Sequence, residues 1–125
     1  MDFNTAEELL ELCRKENKSI SEIMRLREII YGESNADEVD SRMKKSLEIM
    51  RNSAHKPLTD VVRSIGGMIG GEASKLETRR VEGKSICGNV LTKALIYSQA
   101  VLEVNASMGV IVAAPTAGSA GVLPA

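Results

Sequence analysis

The final segment of the chain, residues 105–125, contains the residue types that hold small anions in proteins. It carries no charge and combines small apolar side chains with glycine, serine and threonine. Thr116 and Ser119 supply hydroxyls, and Gly118 lets the backbone approach a ligand closely. Runs of exposed amides in such turns form concave anion sites. The pattern from Pro115 to Ser119 therefore predicts a backbone nest for a carboxylate.

Other chemical patterns are weaker. The paired glycines at 66–71 lack the Lys-Ser/Thr pair of a phosphate-binding loop, and the spacing around Ser119 is not that of a hydrolase nucleophile elbow. Cys13 and Cys87 are far apart and, with the single histidine, cannot complete a four-ligand metal site. That histidine, His55, is interpreted as a solvated loop residue. It would act as a base only if the fold brought it to the glycine-rich segments.

Composition limits the classes of function. The chain has 125 residues, 43% of them hydrophobic, with no Trp, two Tyr and one Phe. A core made from aliphatic side chains, Met and Ala favours packed helices over a sandwich or barrel. The net charge of −1 offers no broad attraction for nucleic acid. Polar residues and prolines after residue 104 argue against a membrane span, and the absence of a leader pattern predicts a cytoplasmic protein.

Two capping boxes mark the starts of the first helices. Thr5 and Ser19 each precede a glutamate by three residues, and amphipathic runs follow. The first helix is predicted over about 6–17, with Cys13 on its buried face. The second is expected to end at Gly32.

Three further helices are expected. The third begins near Asn35 and ends before Pro57, and the fourth runs through about 73–81. The fifth, from Asn89 to Val104, is apolar on nearly all sides, which is typical of a buried helix. It is therefore expected to carry the terminal segment into the middle of the protein.

The glycines between the third and fourth helices leave two interpretations open. Either Gly66 and Gly70 allow another backbone to pack closely, or Gly70 and Gly71 open a loop beside a site.

Two runs near the end of the chain resemble a known family. EVNASMG, residues 103–109, and APTAGSAGVLP, residues 114–124, closely resemble the α chain of the iron–sulfur-dependent bacterial L-serine dehydratases. GGEA at 70–73 and the helix from Asn89 also resemble that chain, in which an aspartate often stands at the position of Glu72. The resemblance covers the whole sequence and is strongest after Gly66.

The resemblance implies a lyase of amino-acid metabolism and gluconeogenesis. The complete enzyme would eliminate water from L-serine to give pyruvate and ammonia, with a four-iron four-sulfur cluster acting as a Lewis acid on the substrate hydroxyl. In the family the cluster cysteines lie beyond the stretch that matches this chain. No metal ligand is therefore expected here, and the catalytic base is not identified. A β chain or β domain is the implied partner, and the segment is expected to be inactive alone.

The residues carried over as a substrate-holding loop lie around the terminal glycines. They are Asn105, Ser107, Met108, Gly109, Pro115, Thr116, Ala117, Gly118 and Ser119. The hydroxyls of Thr116 and Ser119 are expected to contact the substrate, and the amides around Gly118 are expected to bind its carboxylate. Cys87 stands where the family commonly has a serine or another small residue, so its role is interpreted as structural.

The predicted fold class is all-α: a helical domain with a glycine-rich C-terminal loop, forming a truncated part of a larger helical catalytic domain. Residues 1–56 are interpreted as an N-terminal helical bundle segment and 57–125 as the start of the catalytic α domain, within one structural domain. The alternative function is a non-catalytic helical protein-interaction module. An exposed apolar tail would also favour a homo-oligomer or self-association.

Overall fold

The computed structural model describes residues 2–125, and the elements found there are helical, which confirms the all-α fold class. The α-helices are α1 (Ala6–Glu16), α2 (Ile20–Tyr31), α3 (Ala36–Thr59), α4 (Glu72–Val81) and α5 (Gly88–Ala106), and a 3₁₀ turn follows at Ala117–Ser119. Within these residues, none of the helices combines the length and the apolar character that a bilayer crossing requires.

The chain divides into two compact units, one ending at Lys44 and the other spanning Lys45–Ala125. The boundary lies inside α3, whereas the sequence suggested a change of character at Pro57. The functional division at 56/57 stays a prediction.

The first unit begins with two locally capped helices. At α2 the Ser19 hydroxyl accepts the Glu22 N–H at 3.3 Å, and the Glu22 carboxylate accepts the Ser19 N–H at 2.8 Å, so the predicted capping box is confirmed. At α1 only half of the box forms, because the Glu8 carboxylate accepts the N–H of Asn4 at 2.6 Å instead. Cys13 is half-buried, and α1 has no fully buried residue, so this helix packs less closely than predicted.

In the same unit α2 is held to the start of α3 by a two-pronged ion pair. Arg25 donates from Nε and Nη2 to the two carboxylate oxygens of Asp40 at 2.7 and 2.8 Å. Ile23 and Val39 are the buried apolar side chains of these two helices in this unit. The ion pair therefore joins α2 to the beginning of α3.

The second unit is built around α5. Ala54, Val101 and Ala120 form a buried cluster, against which Tyr97 and Ile111 pack. The small alanines allow α3, α5 and the terminal segment to approach closely. The chain also returns to α5 at Gly121, where a Cβ would lie 2.9 Å from the Ser98 carbonyl oxygen.

α3 does not end before Pro57, which corrects the sequence prediction. The helix continues through Pro57 to Thr59, so His55 is helical rather than part of a loop, although it is exposed as expected. A proline inside a helix removes the hydrogen bond to the carbonyl four residues before it, here that of Ser53, and its ring crowds that carbonyl. Pro57 is also fully buried, and its packing offsets that loss.

α5 is buried on one side only, in contrast to the fully buried helix that its composition suggested. Ile96, Ala100 and Val101 face the core, but Val90 is 85% exposed. The terminal segment is also largely exposed, with Val110 at 73%. Within the described residues, α3, α4 and the terminal segment are too few to surround a helix of 19 residues.

Candidate functional site

A buried carboxylate from α5 closes the N-terminus of α4. Glu103 is 1% exposed, and its two oxygens accept the N–H groups of Gly71 at 3.1 Å and Ala73 at 2.7 Å. Gly71 is the N-cap residue of α4 and has no side chain to cap the helix. A negative charge at this end also interacts favourably with the helix dipole. Glu103 therefore supplies from 30 residues away the cap that the local sequence lacks.

This contact was not predicted from the sequence, in which the fifth helix is interpreted only as an apolar helix. A signal was present: α4 starts after two glycines without a local capping side chain, and α5 carries a carboxylate among apolar neighbours. The two features were not connected because nothing local joins them.

The backbone geometry of the loop before α4 explains why Gly70 and Gly71 are glycines. Gly70 and Gly71 have φ of 142° and 93°, which side-chain residues rarely adopt, and a Cβ on Gly70 would overlap the Val62 carbonyl oxygen. The close-packing interpretation is therefore confirmed at Gly70, within its own loop. It is wrong at Gly66, where an added Cβ would meet nothing within 4 Å among the described residues.

A second carboxylate stabilises the same loop. Glu72 accepts the N–H of Gly70 at 2.8 Å. Hydrogen bonds from the backbone amides of Glu72 and Gly70 hold the pKa of the Glu72 carboxyl below its ordinary value. Two acidic side chains thus order the backbone amides around the α4 start.

The four predicted site residues at 105–109 form the C-terminal cap of α5. The Gly109 N–H donates to the Val104 carbonyl at 2.8 Å, and the Met108 N–H donates to the Asn105 carbonyl at 3.1 Å. This pair of bonds is the Schellman motif. Met108 has φ 62° at the position where glycine is usual, and strain of this kind is concentrated at functional sites.

The other predicted residues form a turn at 114–119, closed by hydroxyls. The Thr116 N–H donates to the Ser119 Oγ at 3.2 Å, and Ser119 Oγ lies 3.0 Å from the Ala114 carbonyl. Thr116 Oγ1 lies 3.1 Å from Ser119 Oγ. The amides of Ala117 and Gly118 donate to no other described residue. The hydroxyls thus order the turn, while the two amides remain open.

A cleft of about 660 Å³ brings part of this predicted set together with the end of α3. Its walls are Asn52, Ser53, His55, Lys56, Thr59, Asp60, Val62, Val104, Ser107, Gly109 and Val110. Two residues of the predicted set, Ser107 and Gly109, line the cleft, whereas the 114–119 turn does not. The α3 side of the cleft was not predicted, because His55 was interpreted as a solvated loop residue.

His55 lies in this cleft beside the glycine-rich segment, which was the condition for any chemical role. Its Nδ1 lies 2.8 Å from the Arg51 carbonyl oxygen, and its ring centroid lies 5.0 Å from that of Tyr97. A carbonyl only accepts hydrogen bonds, so Nδ1 carries a proton, and in the neutral ring Nε2 is then an acceptor.

The described residues do not match the donor set of an iron–sulfur cluster. No three His, Cys, Asp or Glu side chains among residues 2–125 are grouped to hold a metal ion. Cys13 is in the first unit, and Cys87 is exposed in the second. Such clusters are normally held by several thiolates, so these residues cannot supply a complete set of ligands.

Comparison with known proteins gives a consistent result. The family model described as serine dehydratase alpha chain matches residues 9–125. The L-serine dehydratase alpha chain of Peptoniphilus asaccharolyticus is 38% identical over 123 residues, which are 98% of this chain and 42% of that protein. The probable L-serine dehydratase alpha chain of Bacillus subtilis is 37% identical over 122 residues, 98% of this chain and 40% of the relative. An L-serine dehydratase of Helicobacter pylori strain J99 is 33% identical over 129 aligned residues, 98% of this chain and 27% of the relative.

No solved structure is significantly similar to the chain. The chain spans about two fifths of the length of the two alpha-chain relatives, at 42% and 40%. The family match extends through both helix α5 and the terminal loops. The chain therefore belongs to the serine dehydratase alpha-chain family.

Proposed function

We propose that this chain is part of an L-serine dehydratase, which eliminates water from L-serine to give pyruvate and ammonia. The observation that carries the proposal is the 38% identity over 123 residues with a protein named as an L-serine dehydratase alpha chain. A cytoplasmic location, a β chain or β domain as partner, and a homo-oligomeric assembly belong to the same proposal.

The part assigned to this chain is to hold the substrate. The open amides of Ala117 and Gly118 suit a carboxylate, because consecutive amides at a turn bind anions. Thr116 and Ser119 order this turn through their hydroxyls, and the hydroxyls also suit contact with the substrate. The cap residues Asn105, Ser107, Met108 and Gly109 are assigned the same role, and two of them, Ser107 and Gly109, lie in the wall of the cleft at the end of α3.

The cofactor in this proposal is a four-iron four-sulfur cluster of the complete enzyme. Since the described residues do not supply its ligand set, the ligands would come from other parts of the protein. The contribution of this chain is then limited to binding and orienting the amino acid.

The test is pyruvate formation from L-serine by the full-length α chain with its β partner, purified without oxygen and supplied with iron and sulfide. Thr116→Ala and Ser119→Ala should lower kcat/KM by roughly tenfold, since each removes a hydroxyl from the turn. Thr78→Ala is the matched control, because its hydroxyl bonds only to the Ser74 carbonyl within α4. Full activity in both turn variants would contradict the assigned role.

A helical interaction module is the second candidate function. It is favoured by apolar side chains that remain uncovered in the described residues, among them Ile86 and Val122. In that case the turn variants would leave turnover unchanged, while Val122→Asp would weaken association with the partner chain in light scattering.

A further inference from the structure

We propose that the cleft between the C-terminal ends of α3 and α5 binds the ammonium group of an amino acid, with the Asp60 carboxylate as its ion-pair partner. The inference rests on the proposed function, because it assigns one functional group of L-serine to a defined place. The cleft volume of about 660 Å³ lies within the usual range for small-molecule sites.

Three hydroxyls in the cleft walls have already donated their protons. Ser53, Thr59 and Ser107 each donate to the carbonyl three residues earlier in the chain, at 2.9, 3.3 and 2.9 Å respectively. A hydroxyl that has donated its proton in this way still has lone pairs to accept a hydrogen bond. These three groups therefore favour a ligand that donates.

His55 and the backbone carbonyl of Ser53 add two further acceptors. With Nδ1–H directed to the Arg51 carbonyl, His55 has its lone pair at Nε2. Pro57 has no N–H for the carbonyl of Ser53, a residue of the cleft wall, so this carbonyl lacks its usual helical donor. An ammonium group, which carries three donors and no acceptor, matches such a set.

The electrostatic field at the C-terminal ends of the two helices also favours a cation. α3 ends at Thr59 and α5 at Ala106, and the cleft lies at both of these ends. Helix C-termini carry partial negative charge and stabilise cations. Asp60 follows α3 directly and adds a full negative charge to the cleft wall.

The charged side chains of the cleft are available for a ligand. Neither Asp60 nor Lys56 takes part in the ion pairs found among residues 2–125. Among the described residues of the walls, Lys56 is the one lysine or arginine and Asp60 the one carboxylate. A cationic group bound in this cleft therefore has Asp60 as its ion-pair partner among the described wall residues.

The first test compares Asp60→Asn with the wild-type full-length enzyme. Loss of the ion pair should raise the KM for L-serine roughly tenfold to 100-fold and change kcat much less. L-Glycerate, in which a hydroxyl replaces the ammonium, should inhibit the variant and the wild type equally. Asp37→Asn, the same change at the exposed start of α3, is the matched control and should leave KM unchanged. An unchanged KM in Asp60→Asn, or an equal loss of L-glycerate binding, would overturn the proposal.

Ethanolamine binding separates this proposal from the proposed function, because ethanolamine keeps the ammonium but is not a substrate for pyruvate formation. Binding to the full-length protein measured by NMR, and lost in Asp60→Asn, would support the ammonium site even if no pyruvate formed. Pyruvate formation without Asp60-dependent binding of ethanolamine would refute the ammonium site and leave the dehydratase standing. Displacement of ethanolamine by potassium ions but not by L-serine would assign the cleft to an inorganic cation and also refute it.

Discussion

Backbone amides are ordered in two places in the second unit, and they are used differently. At the start of α4, the amides of Gly71 and Ala73 are bonded to the buried Glu103 carboxylate. At the start of the 3₁₀ turn, the amides of Ala117 and Gly118 have no partner among the described residues. The first arrangement already contains its anion and is structural, while the second leaves its two amides without a protein acceptor among the described residues.

The glycine in the loop before α4 and the glycine in the 114–119 turn also differ in whether the backbone requires them. Gly70 is required by the backbone, because its φ is 142° and a Cβ would overlap the Val62 carbonyl. For Gly118, the nearest atom to an added Cβ is Thr116 Oγ1 at 3.8 Å, an ordinary contact. A glycine-rich pattern in the sequence therefore has two distinct causes in this molecule.

The sharpest test of the comparison is Glu103→Ala. Removing the carboxylate leaves two buried amides unpaired, so the free energy of unfolding should fall by about 3–5 kcal/mol. Glu103→Gln keeps one acceptor oxygen and should cost about half as much. Urea unfolding followed by circular dichroism measures both changes. A loss below about 1 kcal/mol in Glu103→Ala would mean that water replaces the carboxylate.

Alanine substitutions at Gly70 and Gly118 should distinguish a glycine that the backbone conformation requires from a glycine with free space around it. Gly70→Ala forces a side chain into a disfavoured φ and into a carbonyl, so it should lower the free energy of unfolding by about 2–3 kcal/mol. Gly118→Ala should change it by less than about 0.5 kcal/mol, because the added methyl meets no close atom. Thermal melts of the two variants give the comparison, and equal melting temperatures would refute it.

Ser119→Ala tests how the open turn is held. The side chain is at the surface of the turn and bonds to Thr116 and the Ala114 carbonyl, so its removal should cost about 1 kcal/mol of unfolding free energy. Hydrogen exchange of the Thr116 amide should also become faster, since its acceptor is removed. Exchange at an unchanged rate would show that the turn is held by other contacts.

The smallest expected effect is the pH dependence due to Glu72. Its pKa is lowered from 4.5 by the backbone amides of Glu72 and Gly70, so its contribution to stability is present above pH 4.5. That contribution should be lost as the pH falls through the lower pKa of the folded state. Glu72→Gln should therefore weaken the loss of stability below pH 4.5 relative to the wild type, as measured by urea unfolding. An identical loss of stability below pH 4.5 in the variant and the wild type would contradict the lowered pKa of Glu72.

Short-range signals in the sequence were sufficient for most of the helices. The start of α2 follows from Ser19 and Glu22, which are three residues apart, and the end of α4 follows from Gly83, with φ 72°. The sequence also contains the two runs, 103–109 and 114–124, that resemble the serine dehydratase alpha-chain family. The match of the family model to residues 9–125 confirms this resemblance. The substrate-binding roles of its residues stay predictions.

Tertiary structure alone decided the partner of Glu103, the continuation of α3 through Pro57 and the cleft that contains His55. Glu103 bonds to Gly71 across 32 positions, and the cleft joins residues 52–62 to residues 104–110. A carboxylate on an apolar helix has the same local pattern whether it faces solvent, a metal or an amide. Local propensities therefore fixed which segments are helical, while long-range packing determined which polar groups met and which remained open to a ligand.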